Sequence, residues 1–328
     1  MSILPQGEWR PGSRHLSTFW KEGGSGAEMS GRQVSFFIFF FQLFSSFVPR
    51  SMHPFFASLG NYIIFFLLKK YREDVKQNIR IIGRGNYSEK EISRLAKRCF
   101  QNYCHKLLDY MAMHRLNPSN KGKWVEKEIG EENLVKALTK GKGVICITPH
   151  LGNWELGGYV LASKGHPINI LTLKEESQYL FRYEERVRRK IGIRTILIDP
   201  KEKPNLAVLG IVRKLRQNEI VAMVADRNYE GQGMEVDFFG HRTLFPTGAV
   251  YLALETGATI LPVFVVLEKN RKYWGITGEP IPMETNDNKE KSVKQCLQVI
   301  VKRFEETISR YPDQWFNFYS YWGKTDPK

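Results

Sequence analysis

From Asn133 to its C-terminus the chain alternates short β-branched runs with segments of helical periodicity. That alternation restricts the possible folds more than any other feature. "GVICIT", "INILTL", "TILID", "IVAMVAD" and "TILPVFVV" read as strands. "ENLVKALTKG", "ELGGYVLASKG", the charged run from Glu175 to Lys190, "NLAVLGIVRKLRQNE" and "GAVYLALETG" read as helices, and "EKSVKQCLQVIVKRFEETISRY" as a closing one. Such repetition predicts an α/β fold with a largely parallel central sheet flanked by helices. In open sheets of this kind, ligands bind beyond the carboxyl ends of the strands. His150, Asp199 and Asp226 each follow a strand and so stand on the candidate functional rim.

The N-terminal third reads differently. Residues 1–32 are Gly/Ser-rich and irregular, and are expected to be a mobile tail. Residues 33–86 are expected to form an apolar helical segment that associates with a membrane. "QVSFFIFFFQLFSSFV" is almost wholly apolar, yet shorter than the roughly 20 residues a spanning helix needs. A second run, "LGNYIIFFLLKKYR", closes on Lys69, Lys70 and Arg72, as interfacial helices do. A buried hairpin of a soluble domain is the competing reading. A cleaved signal peptide does not fit, because polar residues come first and no small-residue cleavage site follows. From Tyr87 the pattern becomes one long amphipathic helix, opened by a capping box of Ser88 and Glu91. Residues 87–328 are expected to form the α/β domain.

Lys and Arg number 49 against 34 Asp and Glu, a net charge of +15. An excess of this size calls for an anionic partner. No zinc finger, RNA-binding aromatic signature or basic zipper is present, so an anionic membrane surface or substrate is expected and nucleic acid is not. The four cysteines form no Cys-x-x-Cys pair and no metal-spaced cluster. Neither a metal nor a resident cofactor is expected.

The stretch "ICITPHLGNWELGG" runs from an apolar strand into His150, with Glu155 five residues on. Seven histidines and 34 acids in 328 residues give roughly 0.7 such pairs by chance, so spacing alone is weak. Context adds weight, because Gly152 and Asn153 suit a tight turn and Trp154 opens a helix. A turn of that kind can fold Glu155 back to accept a proton from one imidazole nitrogen, leaving the other as a general base. The plain alternative is a surface histidine at a strand end, with Glu155 favouring a helix N-terminus. No Gly-x-Ser-x-Gly elbow or paired cysteine supplies a nucleophile, so His150 is expected to activate a hydroxyl of the substrate.

"HLGNWE" resembles the His-x4-acid block of the lipid A biosynthesis acyltransferases, the late acyltransferases of Gram-negative envelopes. "VRRKIG", the stretch from Val224 to Phe264 containing "DFFG" and "FPTG", and "RYPDQWFNFYSYWGK" are similar to further blocks of that family in the same order. Asp226-Arg227, where many members have Asp-Gln, resembles relatives that acylate phosphatidylinositol mannosides in actinobacteria. The resemblance implies a glycerolipid acyltransferase-like fold. It also implies transfer of an acyl chain from acyl-carrier protein, or from acyl-CoA, to a hydroxyl of a lipid A precursor or another glycolipid. An inactive scaffold that binds acyl chains or carrier protein is the reading from a different class.

Under that resemblance His150 is the base and Glu155 its orienter, with no covalent acyl-enzyme. Asn153, a backbone amide or an arginine, Arg189 first with Arg186 and Arg188 as rivals, would stabilise the oxyanion, and the arginines could instead hold phosphates. Asp226 and Arg227 would shape the site and Phe239 and Gly240 would wall the acyl groove. Thr247 and Gly248 would cap a helix or meet a phosphate. The resemblance places the protein at the cell inner membrane, with its catalytic domain on the cytoplasmic face.

Overall fold

A seven-stranded sheet carries the domain, and among the described residues three α-helices precede it. The computed structural model describes residues 47–173, 178–198, 205–228, 233–283 and 288–323. The tail expected over residues 1–32, most of the first apolar run and Asp199 lie outside them. The helices are α1 (His53–Leu67), α2 (Lys69–Gly83) and α3 (Glu89–Ala112). The Ser88 hydroxyl accepts from the Glu91 amide, and the Glu91 carboxylate accepts from the Ser88 amide at 2.9 Å. This is the capping box expected from the sequence.

The strands and helices that follow are β1 (Val125–Ile129), α4 (Glu131–Leu138), β2 (Val144–Thr148), α5 (Trp154–Ser163), β3 (Ile168–Leu173), α6 (Gln178–Lys190), β4 (Ile193–Ile198), α7 (Asn205–Arg216) and β5 (Ile220–Val224). A hairpin of β6 (Met234–Phe238) and β7 (His241–Phe245) comes next. It leads to α8 (Gly248–Thr256), β8 (Thr259–Leu267), β9 (Tyr273–Thr277) and α9 (Lys289–Arg310). The sheet order is β1-β9-β8-β2-β5-β3-β4. β8, β2, β5, β3 and β4 run parallel, while β9 pairs antiparallel with β8 and carries β1 parallel to itself. The parallel sheet thus follows the sequence reading, whereas β1, β9 and the β6–β7 hairpin carry no comparably apolar run and were not read from it.

Two apolar layers enclose the sheet. One packs α7, α8 and α9 with the aromatic hairpin, around Phe238, Phe245, Phe264 and Phe304. The other lies under α5 and α6, around Leu156, Val187 and Ile193. The segment after α9 runs back over the carboxyl ends of the strands. There the Gly152 amide donates to the Gln314 carbonyl at 2.9 Å, and the Phe316 amide donates to the His150 carbonyl at 2.8 Å. The Gln314 side chain clasps the end of β8, accepting from the Leu267 amide at 2.8 Å and donating to its carbonyl at 2.7 Å.

α2 turns Tyr71, Val75, Ile79 and Ile82 inward and packs them against the body of the domain. Among the described residues no single helix is long and apolar enough to cross a membrane, and the α1–α2 pair is bent by 100°. α1 has an unusual face distribution. Its inward side carries His53, Ala57 and Asn61, while Phe55, Leu59, Tyr62 and Phe66 face outward, each more than half exposed. A helix of a soluble domain normally shows the reverse.

The turn after β2 leaves no latitude at Gly152. Its φ is +62°, and a β-carbon there would overlap the Val265 carbonyl. Gly152→Ala is therefore expected to lower the midpoint of thermal unfolding, since the left-handed conformation alone costs about 1–3 kcal/mol for a non-glycine residue. Differential scanning calorimetry of the two proteins checks this.

Candidate active site

The parallel register of β2 and β5 pairs Thr148 with Val224, the last residue of each strand. Neighbouring strands lie about 4.8 Å apart. Two residues further along each chain stand His150 and Asp226, which the pairing brings face to face. His150 Nδ1 lies 2.5 Å from Asp226 Oδ1, and the His150 amide donates to Oδ2 at 3.0 Å. Trp315 Nε1 and Asn317 Nδ2 donate to the same Oδ2, at 2.9 and 3.4 Å. The Tyr321 hydroxyl donates to the Asp226 carbonyl. Asp226 is fully buried.

Burial opposes ionisation of Asp226, but the facing imidazole and the Arg227 guanidinium outweigh it and hold the carboxyl well below its usual range. Burial pushes His150 down from 6.5 to about 4, and Arg227 pushes the same way against the pull of Asp226. Near neutral pH the imidazole is therefore uncharged. Nδ1–H donates to Asp226 and Nε2 keeps its lone pair, in the tautomer that general-base chemistry needs. Among the described residues Nε2 has no hydrogen-bond partner, and the His150 side chain is 13% exposed.

Glu155 does not orient His150, contrary to the sequence expectation. Its buried carboxylate accepts from Arg188 Nε at 3.2 Å and Nη2 at 2.6 Å. Asp226 already occupies Nδ1, and a buried guanidinium leaves a neighbouring carboxylate a strong reason to pair with it. Arg188 also reaches Glu184, one turn back on α6, at 3.5 Å. Of the three candidate arginines only Arg188 is drawn inward, while Arg186 and Arg189 face solvent.

Asn153 is the N-cap of α5, its Oδ1 accepting from the Leu156 amide at 3.3 Å. Arg227 is fixed by the C-terminal segment, donating to Asn317 Oδ1 and to the Phe316 carbonyl, both at 2.7 Å. Phe239 and Gly240 form the tight β6–β7 turn, with Phe239 buried and its amide donating to Glu305. Thr247 and Gly248 open α8. None of these last four donates to the His150–Asp226 pair.

An apolar cavity of about 90 Å³, part of it open to solvent, lies between α5 and the sheet. It is lined by Leu134, Gly157, Gly158, Ile170, Val263 and Ile276 among others. Phe239 is not part of that lining, because the aromatic hairpin packs into the opposite layer. Two further lining residues, Thr148 and Trp154, belong to the strand–turn–helix that carries His150. The Trp154 ring stands edge-on to the imidazole, with centroids 5.4 Å apart. Among the described residues no cluster of three His, Cys, Asp or Glu could hold a metal ion.

The sequence reading missed Trp315 and Asn317 as site residues. Both lie in "PDQWFNF", where polar side chains interrupt an aromatic run close to the C-terminus, and that interruption is the available signal.

Residues 28–324 match the family described as bacterial lipid A biosynthesis acyltransferase. The chain is also similar to curated phosphatidylinositol mannoside acyltransferases. One, from Mycolicibacterium smegmatis, is 29% identical over 191 residues, covering 58% of this chain and 60% of the relative. Another, from Mycobacterium tuberculosis, is 30% identical over 193 residues, covering 59% of this chain and 58% of the relative. The chain thus spans less than two thirds of the length of the curated relatives it matches.

Selective carbon-13 labelling of histidine gives a direct check on the site's electrostatics. The His150 ring is expected to titrate well below the ordinary 6.5, with a midpoint near 4. Arg227→Gln removes a repelling positive charge and is expected to move the midpoint up. Asp226→Asn removes the attracting carboxylate and is expected to move it further down.

Proposed function

The chain belongs to the bacterial lipid A biosynthesis acyltransferase family, and we propose that it transfers a fatty acyl chain from a thioester to a hydroxyl of a glycolipid. The observation that carries this reading is the placement of the His150 imidazole. It is held through Nδ1 by a fully satisfied buried carboxylate and presents a free Nε2 beside an apolar cavity. The donor thioester belongs to acyl-carrier protein or acyl-CoA.

In this mechanism Nε2 takes the proton of the acceptor hydroxyl as its oxygen attacks the thioester carbonyl carbon. The new C–O bond sends the carbonyl π pair onto oxygen. Collapse of the oxyanion breaks the C–S bond, and the imidazolium returns its proton to the leaving thiolate. Asp226 stabilises the transient imidazolium and fixes its tautomer, as the carboxylate does in serine-hydrolase triads. Glu155 keeps Arg188 in place, and Arg188 in turn ties α6 to the start of α5. The cavity suits an acyl chain in chemistry, because it is concave and lined mostly by apolar side chains, as ligand sites are. Gly157 and Gly158 keep the α5 wall low, since a β-carbon at Gly158 would meet Ile193 Cδ1 at 2.8 Å. Arg186 and Arg189, exposed on α6, suit the phosphates or acidic carrier of the donor.

A lipid A precursor is the acceptor that the family's description suggests. A mannosylated phosphatidylinositol is the second reading, favoured by the curated relatives and by Asp226-Arg227. We further propose that the outward row of Phe55, Leu59, Tyr62 and Phe66 on α1 docks on the anionic cytoplasmic face of the inner membrane. A contiguous exposed apolar row next to basic residues marks such contacts.

Purified protein in mixed micelles, supplied with acyl-CoA or acyl-carrier-protein thioester and either glycolipid, is expected to transfer the chain. His150→Ala is expected to lower kcat roughly 10²- to 10⁴-fold, the usual contribution of a general base. Equal rates in both proteins would sink the mechanism. In vesicle flotation with anionic phospholipid, replacing Phe55, Leu59, Tyr62 and Phe66 together by Ser is expected to abolish binding while leaving the melting profile of the α/β domain unchanged. Undiminished flotation would remove α1 as the docking element.

A further inference from the structure

Lys106 stands out among the charged side chains near His150. It lies on the inward face of α3 and is 7% exposed. Its Nζ sits 3.7 Å over the Trp154 ring, with Tyr103 and Tyr110 at 5.8 and 6.0 Å. Trp154 is the same ring that abuts the His150 imidazole and lines the apolar cavity. Among the described residues no oxygen accepts a hydrogen bond from this ammonium. The carboxylates close enough to influence it are Glu155 and Glu184, and both are engaged by Arg188. Burial pushes Lys106 down to about 8, which leaves it mostly charged at neutral pH.

A buried ammonium with no acceptor is costly, and faces of aromatic rings repay only part of the lost hydration. Such a group is a standing receptor for an anionic oxygen. Its place matters equally. Through Trp154, which abuts the imidazole and lines the cavity, it stands on the side where a thioester carbonyl would lie with its acyl chain in the cavity. Asp226 is already supplied by its own donors and does not claim the ammonium, and Arg227 is held by Asn317 and Phe316 and does not compete for that oxygen.

We propose that Lys106 completes an anion-binding subsite beside His150 and is a catalytic residue, its ammonium receiving the negative charge that develops on the thioester carbonyl oxygen. This deepens the acyl-transfer reading and rests on it for the identity of the oxygen. The charge on that oxygen appears when the acceptor oxygen adds to the carbonyl carbon. It disappears when the C–S bond breaks and the carbonyl re-forms. Lys106 keeps its proton throughout, and the proton that moves is the one His150 carries from acceptor hydroxyl to leaving thiolate.

Two measurements on the full chain test this. The first is independent of turnover. Dodecylphosphonate, an apolar chain with an anionic head, is titrated against dodecanol as a neutral control, by calorimetry. Lys106→Met is expected to weaken the phosphonate at least about tenfold, or roughly one decade in Kd, and to leave dodecanol unchanged. Lys106→Arg is expected to keep most of the phosphonate affinity. Equal phosphonate binding by wild type and Lys106→Met, or equal loss in Lys106→Met and Lys106→Arg, overturns the subsite. The second measurement is steady-state transfer. Lys106→Met is expected to lower kcat on the order of 100-fold, as loss of an oxyanion donor does, with KM for both substrates unchanged. A raised KM at constant kcat would mean that the ammonium binds a phosphate of the ground-state substrate, and would overturn the oxyanion assignment. Should wild type transfer nothing from any thioester, the acyl-transfer reading fails by itself, and the phosphonate titration still decides whether the subsite exists.

Discussion

A fully buried carboxylate that is to stay ionised must be surrounded by donors, and Asp226 imposes that requirement on everything near it. Two donors come from His150, one from Trp315 and one from Asn317. Meeting it requires that the ends of β2 and β5 stay in register and that the C-terminal segment return across them. Removing one partner of such a cluster typically costs about 3–5 kcal/mol, because a charge is left buried and unpaired. The same arrangement fixes the orientation and tautomer of the imidazole, while burial and Arg227 hold it neutral against the pull of Asp226.

The C-terminal segment connects this cluster to the helices that precede the sheet. Asn78 of α2 donates to the carbonyls of Asn317 and Tyr319, at 3.0 and 2.8 Å. Asn102 of α3 donates to the Asp313 carbonyl at 3.0 Å, and Arg98 reaches the Asp313 carboxylate at 2.8 Å. A second buried carboxylate, Asp109, plays the matching part for α1. His53 Nδ1 lies 2.7 Å from it, and Arg50 holds it through Nε and Nη2 while also donating to the carbonyls of Lys123 and Arg271. These polar anchors let α1 turn His53 and Asn61 inward and leave its aromatic residues outside. The exposed aromatic row of α1 is therefore tied to the body that carries the candidate base.

Much of the fold was legible because the parallel strands are locally distinctive. β2, β3, β5 and β8 are largely apolar runs rich in β-branched residues, and α3 announces itself with a capping box and a regular apolar stripe. β1, β9 and the β6–β7 hairpin were not legible, because their side chains alternate or carry charge and draw stability from pairing more than from composition. "VEKEI" in β1 has a single buried residue. The apolar run in α1 was legible as unusual, but the half of that pattern extending into α2 packs against α3 and α9, a partnership that hydrophobicity alone does not specify.

The sequence by itself determined that a histidine would end the first parallel core strand and that acids and arginines would stand nearby, because strand ends, turns and helix starts are written in residues close to one another. Only the tertiary structure decided which acid serves the imidazole. Glu155 is five residues from His150 and Asp226 is 76 residues away, yet strand register brings the distant one into contact and a buried guanidinium claims the near one. Tertiary packing likewise set Lys106 over Trp154 and singled out Arg188 from its neighbours. In each case the deciding quantity is the cost of leaving a buried charge without a partner, and that cost depends on the whole surroundings of the charge, which sequence spacing does not carry.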